Sequence, residues 1–203
     1  MPTTLAPVAP GPQPRTRWTV TQFNRMGDMG WFEGRRAFLL DGVILENGPM
    51  NPLHANAVGF VQYALMAAFG PPEWWVRVQS PFHVDEFNDP LPDFAVVSGT
   101  PDDYDGRHPT EAALVVEVAD TSLGYDLREK AERYATAGVP DYWVLDLDGR
   151  ELHVFRDPVP LPAGLGATAY RDQRILTTAD SVSPLAMPAA LIAVARLFPR
   201  ERN

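Results

Sequence analysis

Two carboxylates and one ammonium are the groups in this 203-residue chain best placed to do chemistry. Lys130 is the single lysine among 17 basic residues, the others being arginine. Arginine is a planar fork that stays charged, whereas lysine offers a compact ammonium of tunable pKa that fits beside a water or phosphate oxygen. Glu117 lies inside the apolar run Leu114-Val115-Val116-Glu117-Val118, where a charge is costly unless it is paired or bound to metal. Asp93 follows Pro92 at the head of a second apolar run, Phe94 to Val97. Carboxylates at neighbouring strand positions can share one cation. Such oxygen donors suit Mg2+ or Mn2+, with a backbone carbonyl such as that of Val118 completing the shell. Two plainer readings stand beside this one. Glu117 can form a buried ion pair with Arg128 or Lys130, and Lys130 can be a surface residue in a composition that has drifted toward arginine.

Other chemistries find less support. The absence of cysteine removes disulfides, thiolate zinc sites and cysteine nucleophiles, and it fits a reducing cytoplasm. His54, His83, His108 and His153 show no zinc-hydrolase spacing. Ser80, Ser98 and Ser122 lack a G-x-S-x-G setting, and no glycine-rich phosphate cradle is present. A net charge of -9 argues against a general nucleic-acid coat, although an enzyme can gather basic contacts on one face. Arg128, Lys130 and Arg133, with Arg107 in a preceding loop, are candidates for such a face or for a solvated helix surface. The aspartates Asp102, Asp103 and Asp105 lack the spacing of a calcium loop.

These residues need elements to position them. The first fourteen residues hold five prolines without apolar periodicity, and residues 1–17 read as a disordered tail before one domain over 18–203. Thr21 is placed to cap a helix over Gln22 to Met29. Arg36 to Leu40 and Val43 to Glu46 flank Asp41-Gly42 as a hairpin. His54 to Phe69 has helical periodicity and stops at Gly70-Pro71-Pro72. Strands are expected at Trp74 to Ser80, Phe94 to Val97 and Ala113 to Val118. Asp126-Leu127-Arg128-Glu129 reads as a capping box opening a helix at Leu127 that ends at Gly138. A strand at Tyr142 to Leu147 then turns at Asp148-Gly149 into Glu151 to Phe155. Ala189 to Leu197 reads as a terminal helix. The order gives an α/β (α+β) fold with a mixed central sheet flanked by helices. No stretch is long enough to span a membrane. Trp74-Trp75 can stack on bases or pack a core.

In this order the residues resemble a known family. Pro92-Asp93, Glu117-Val118-Ala119, then Asp126, Lys130 and Tyr134, then Gly138-Val139-Pro140-Asp141-Tyr142-Trp143-Val144-Leu145-Asp146 are similar to the Uma-type (Uma two) restriction-endonuclease family, a branch of the PD-(D/E)XK nuclease superfamily. The segment FLLDGVILE followed by His54 resembles its N-terminal half, and the likeness covers roughly residues 19 to 198. The resemblance implies a restriction-endonuclease-like core that hydrolyses DNA phosphodiesters with Mg2+ or Mn2+. Asp93 and Glu117 would hold the metal. The lysine role would move from the usual place, here Ala119, to Lys130 on the following helix. Phe38 stands where relatives often carry an acid, and Glu46 on the partner strand is the candidate substitute. Gln79 is an accessory candidate for water or phosphate or else an exposed strand glutamine, His54 a candidate for the family's histidine or else for packing at the helix start, and Asp126 a further accessory candidate. A homodimer is also implied, with Leu191, Ile192, Val194 and Phe198 available either for that contact or for packing. Phe38 and the acidic balance keep a second reading open, a weakened nuclease fold that binds nucleic acid or acts as an oligomeric scaffold. A small-phosphoester phosphatase is the third.

Overall fold

The computed structural model describes residues 16–160 and 168–200. The proline-rich residues 1–15 lie outside them. Of the expected tail, Arg17 is described, with its guanidinium 3.9 Å from the Phe87 ring centre.

Helix α1 (Val20–Asp28) leads into the hairpin β1 (Ala37–Leu40) and β2 (Val43–Glu46), then helix α2 (Pro52–Ala68). The helix α1 begins earlier than Thr21 predicts. Thr19 Oγ1 accepts from the Gln22 amide at 3.2 Å while Gln22 Oε1 accepts from the Thr19 amide at 3.0 Å. This reciprocal pair satisfies two orphan donors at once, which a lone Thr21 hydroxyl cannot do. In the hairpin turn Asp41 and Gly42 have φ of 51° and 72°. A Cβ at Gly42 would come within 2.6 Å of Arg17 Cβ, so glycine is required there for space as well as for φ. Asn51, with Pro52 at the first helical position, caps α2 through the His54 amide at 3.0 Å.

The central sheet has six strands: β3 (Trp74–Val78), β4 (Phe94–Ser98), β5 (Leu114–Ala119), β6 (Asp141–Asp146), β7 (Glu151–Pro160) and β8 (Thr168–Thr177). They lie side by side in sequence order, and β5 with β6 is the one parallel pair. That pair needs a crossover. It is made by α3 (Leu123–Tyr125), a π-helical turn over Asp126–Lys130, and α4 (Ala131–Thr136). The expected start at Leu127 is therefore corrected: the helix is under way at Leu123, and Asp126 turns inward instead of capping it. Gly138, with φ of 74°, ends the helical segment as expected.

Strands β5 and β6 are buried throughout because both of their faces are covered. Val116, Val118, Trp143 and Leu145 pack with α2 on one face, while Val115, Tyr142 and Val144 pack with Tyr134 and Ala135 of α4 on the other. The long strand β8 was not anticipated. The expected helix over Ala189 to Leu197 is absent. Strand β10 (Ile192–Ala193) pairs with β9 (Ser181–Val182), and a 3-10 turn covers Val194–Leu197. Burial of Ile192 and Val194 with exposure of Leu191 follows the two-residue period of extended chain. Those side chains complete the α2 face of this chain's own core.

A buried carboxylate pins β6 to the C-terminal segment. Asp141 Oδ1 accepts from Trp143 Nε1 at 2.7 Å and Arg156 Nε at 2.9 Å, and its Oδ2 accepts from the Leu185 amide at 2.9 Å. Asp141→Ala is expected to lower unfolding free energy by about 3–5 kcal/mol, because it leaves the partly buried Arg156 without its counter-charge and the Trp143 and Leu185 N–H groups without an acceptor. Urea denaturation followed by tryptophan fluorescence measures it, and a loss below 1 kcal/mol, the range of exposed pairs, would show that the pin carries no weight.

Candidate active site

Glu117 belongs to the face of β5 that looks toward α4. Strand β4 is registered on β5 with Phe94 opposite Val116, and one step further along this register Asp93 faces Glu117. Beyond the last ladder pair, the Val118 amide donates to Asp93 Oδ2 at 2.8 Å, so a carboxylate replaces the missing strand neighbour. The two acids that the sequence separates by twenty-odd residues thus meet at one end of the sheet.

Lys130 reaches the same place from the crossover helix. Its Nζ lies 3.1 Å from Glu117 Oε1 and 2.8 Å from Asp126 Oδ1. The π-helical turn spans both Asp126 and Lys130, and such turns concentrate at functional positions. One turn on, Tyr134 Oη donates to Glu117 Oε1 at 2.8 Å. Ser122 Oγ donates to Asp126 Oδ2 from the start of the crossover. Both partners of Glu117 fall on Oε1, and Oε2 has none among the described residues.

Asp93 has its own shell. Gln79 Nε2 donates to its Oδ1 at 3.0 Å, and His54 Nε2 lies 3.3 Å from the same atom. Gln79 adopts φ of 46°, which ends β3 two residues before the expected Ser80 and turns its amide onto Asp93. The reading of Gln79 as a plain strand residue is thereby replaced by a contact. His54, Gln79, Arg36, Asn51, Asp120 and Ser122 border an open cleft of about 230 Å³. Asn51, whose side chain donates to Asp120 in that cleft, was missed; the Asn-Pro pair at a helix start was the available signal. Tyr134 was part of the recognised pattern without a role, and its four-residue spacing from Lys130 places both on one helix face.

Charge is unevenly balanced here. Burial pushes the Glu117 carboxyl up to about 7 from an ordinary 4.5, with Asp126 and Asp93 adding to the push while Lys130 and Tyr134 oppose it. Burial alone would lower Lys130, but Glu117 and Asp126 together hold it above the ordinary lysine range. The single ammonium is shared between two carboxylates, so it stays protonated while Glu117 is undercompensated. Asp93 is held below its usual range, since the bonds from His54, Gln79 and the Val118 amide outweigh burial. His54 is raised, chiefly by its bond to Asp93.

Other expected participants lie apart from this cluster. Glu46 forms an ion pair with Arg35 at 2.6 Å, both half exposed. Phe38 is buried. Arg128 is exposed beside Glu129, and Arg133 makes a two-pronged pair with Asp41 at 2.7 and 2.9 Å. The basic residues of the crossover therefore do not form one face. A second set of metal-ligand types, Asp146, Glu151 and His153, has ligand atoms within 4.8 Å of one another on β6 and β7. Asp146 Oδ1 there already accepts the amides of Asp148 and Gly149 at 3.1 Å each. Among the described residues no helix is long and apolar enough to cross a membrane.

Comparison with known proteins agrees with this architecture. A crystal structure of a "putative nuclease belonging to DUF820" from Anabaena variabilis ATCC 29413 superposes with a TM-score of 0.66 over 89% of this chain and 97% of that one, at 12% sequence identity. At that identity the likeness shows the fold. No curated protein matches the chain. The family model described as "Putative restriction endonuclease" matches residues 21–195, and the chain belongs to that family, Uma2.

Proposed function

We propose that this chain is a divalent-metal-dependent endonuclease that hydrolyses DNA phosphodiester bonds, with residues 18–203 acting as one catalytic unit. The observation that carries the reading is the convergence of Asp93, Glu117 and the chain's single lysine at one end of the sheet, beside an open cleft. The donor set fits a hard cation. Glu117 Oε2 has no partner among the described residues, Asp93 Oδ2 accepts only the Val118 amide and keeps a second lone pair, and the carboxylates outnumber the one buried ammonium. Asp93, Glu117 and the Val118 carbonyl would hold Mg2+ or Mn2+, which when bound supplies Lewis acidity and an acidified water.

The side chains divide the remaining work. Hydrolysis joins a water oxygen to phosphorus and breaks the bond to the leaving oxygen; the attacking water gives up a proton to solvent, and the leaving oxygen takes one up to depart as a hydroxyl. Lys130, kept protonated by two carboxylates, is a fixed cation rather than a base. It orients the water or stabilises negative charge that grows on the phosphoryl oxygens. Tyr134 and Asp126 keep Glu117 and Lys130 in register. Gln79 and His54 orient Asp93, and Arg36 on the cleft wall offers a contact for a neighbouring phosphate. Burial of Phe38 and the pairing of Glu46 with Arg35 favour, as a second reading, a weakened relative that binds nucleic acid without cutting it.

Wild-type protein at low salt with Mg2+ or Mn2+ is expected to cut supercoiled plasmid or single-stranded DNA. Glu117→Gln and Lys130→Ala should each reduce cutting about 10²–10³-fold with circular dichroism unchanged. If the wild type cuts neither substrate with either metal, the binding reading takes over. If the folded variants cut normally, the residue assignment fails.

The raised Glu117 pKa makes a second expectation. The native state binds the Glu117 proton more tightly than the unfolded chain does, so this group's stabilising contribution is full below pH 4.5 and fades as pH rises toward about 7. His54, raised from 6.5, contributes in the same direction, being lost as pH rises through its folded value. Urea midpoints should therefore fall between pH 5 and 8 in the wild type and fall less in Glu117→Gln. A slope unchanged by the substitution would exclude Glu117 as its source.

Metal binding should oppose that loss, because it favours the ionised carboxylate. MgCl2 is expected to raise the melting temperature more at pH 8 than at pH 6, and Asp93→Asn should abolish the rise. A rise that persists in Asp93→Asn would place the metal elsewhere, with Asp146, Glu151 and His153 the first site to test.

A further inference from the structure

A separate cavity of about 610 Å³ lies at the edge strand β3, walled by that strand, helix α1 and the two loops that flank β4. Arg77 of β3 lines it while only 6% exposed, and its Nε and Nη1 have no hydrogen-bond partner among the described residues. Its Nη2 approaches His108 Nδ1 at 3.4 Å, and its guanidinium lies 4.9 Å from the Trp75 ring centre. Asp89 lines the same cavity, is 3% exposed, and has an Oδ1 without a hydrogen-bond partner among the described residues. His83 Nδ1 stands 3.8 Å from that oxygen, too far for a hydrogen bond. Burial lowers Arg77 and raises Asp89 from their ordinary values, each the sign of a charge without full compensation. Buried polar groups are ordinarily satisfied, so orphan atoms of both kinds beside one cavity need an explanation.

One ligand chemistry meets both kinds at once. Two orphan donors and one orphan acceptor call for a group that carries a carbonyl oxygen beside an N–H. That is the lactam edge of guanine and related bases, and adenine lacks it. Trp75 and Tyr104, with ring centres 5.7 Å apart, supply an aromatic wall on which a base can lie. Arg107 adds a further positive charge to the lining, where a phosphate would sit. The volume is in the range of sites that take molecules of this size.

We propose that this cavity binds a nucleotide whose base carries a lactam edge, with Arg77 donating to the carbonyl oxygen, Asp89 accepting from the neighbouring N–H, and Arg107 meeting the phosphate. The nucleotide is either free or part of a nucleic-acid strand. The site is distinct from the Asp93–Glu117 cluster, and its occupancy does not depend on the nuclease reading.

Isothermal titration of the full chain with GMP, AMP and inorganic phosphate tests it. GMP should bind saturably and AMP at least about tenfold more weakly, the scale of a two-pronged base contact. Asp89→Asn should abolish the preference. Arg107→Ala, a substitution on an exposed loop, should weaken GMP binding several-fold while leaving guanosine binding unchanged. A guanine-containing single strand that competes with GMP at equal concentration identifies a strand as the source; failure to compete identifies the free nucleotide. Equal binding of GMP and AMP, displacement of GMP by inorganic phosphate at the same concentration, or no binding of any probe would overturn the proposal. In the last case buried water satisfies the orphan atoms. Should Asp89→Asn not fold, the wild-type GMP to AMP ratio and Arg107→Ala still decide.

Discussion

The site is organised around one ammonium surrounded by more negative charge than it can neutralise. Lys130 touches Glu117 and Asp126 together, and Asp93 adds its charge to Glu117 from the next strand. Buried ions are costly, and a shared cation is a poor substitute for full pairing. Much of the local architecture answers that cost. Tyr134 donates to Glu117, Ser122 to Asp126, and Gln79 with the Val118 amide to Asp93. The acid left without full compensation is Glu117.

The single parallel strand pair has a structural consequence. Because β5 and β6 run the same way, the chain must cross over a face of the sheet, and the crossover carries Asp126, Lys130 and Tyr134 over Glu117. A tight hairpin between the same strands would leave Glu117 uncovered. The π-helical turn is part of this device, since it places Asp126 and Lys130 on the inner side together. At the other end of the crossover, Asp141 anchors β6 by binding Arg156 and the 183–185 segment, which keeps the two strands in register beneath the helix. The candidate site and the core packing here use the same few elements.

The acidic net charge is compatible with this arrangement because it is distributed unevenly. Arg133 is committed to Asp41, where it ties α4 to the β1–β2 turn, and Arg156 to Asp141. Arg36 borders the cleft, while Arg77 is held in the cavity at the sheet edge with polar atoms unmet. Arginine count alone is therefore a poor guide to the surface that a polyanion would meet.

Strand and helix content was legible in the sequence where burial is two-sided or periodicity is strong, as in β4, β5, β6 and α2, because local side-chain spacing follows directly from backbone geometry. Asp93, Glu117 and Lys130 were legible too, as charges in apolar settings and a lysine without peers. Less could be read where a local signal competed with a distant partner. Asp126 resembles a cap in isolation, yet Lys130 and Ser122 draw it inside. Gln79 resembles an exposed strand residue until a positive φ turns it toward Asp93. The apolar tail resembles a helix until the α2 face claims alternate residues for its core. Residue type and spacing thus determined which groups are able to do chemistry and which segments form strands or helices. Only the tertiary structure decided which charges share a partner and which remain uncompensated, because ion pairing and desolvation depend on distances between segments far apart in the chain.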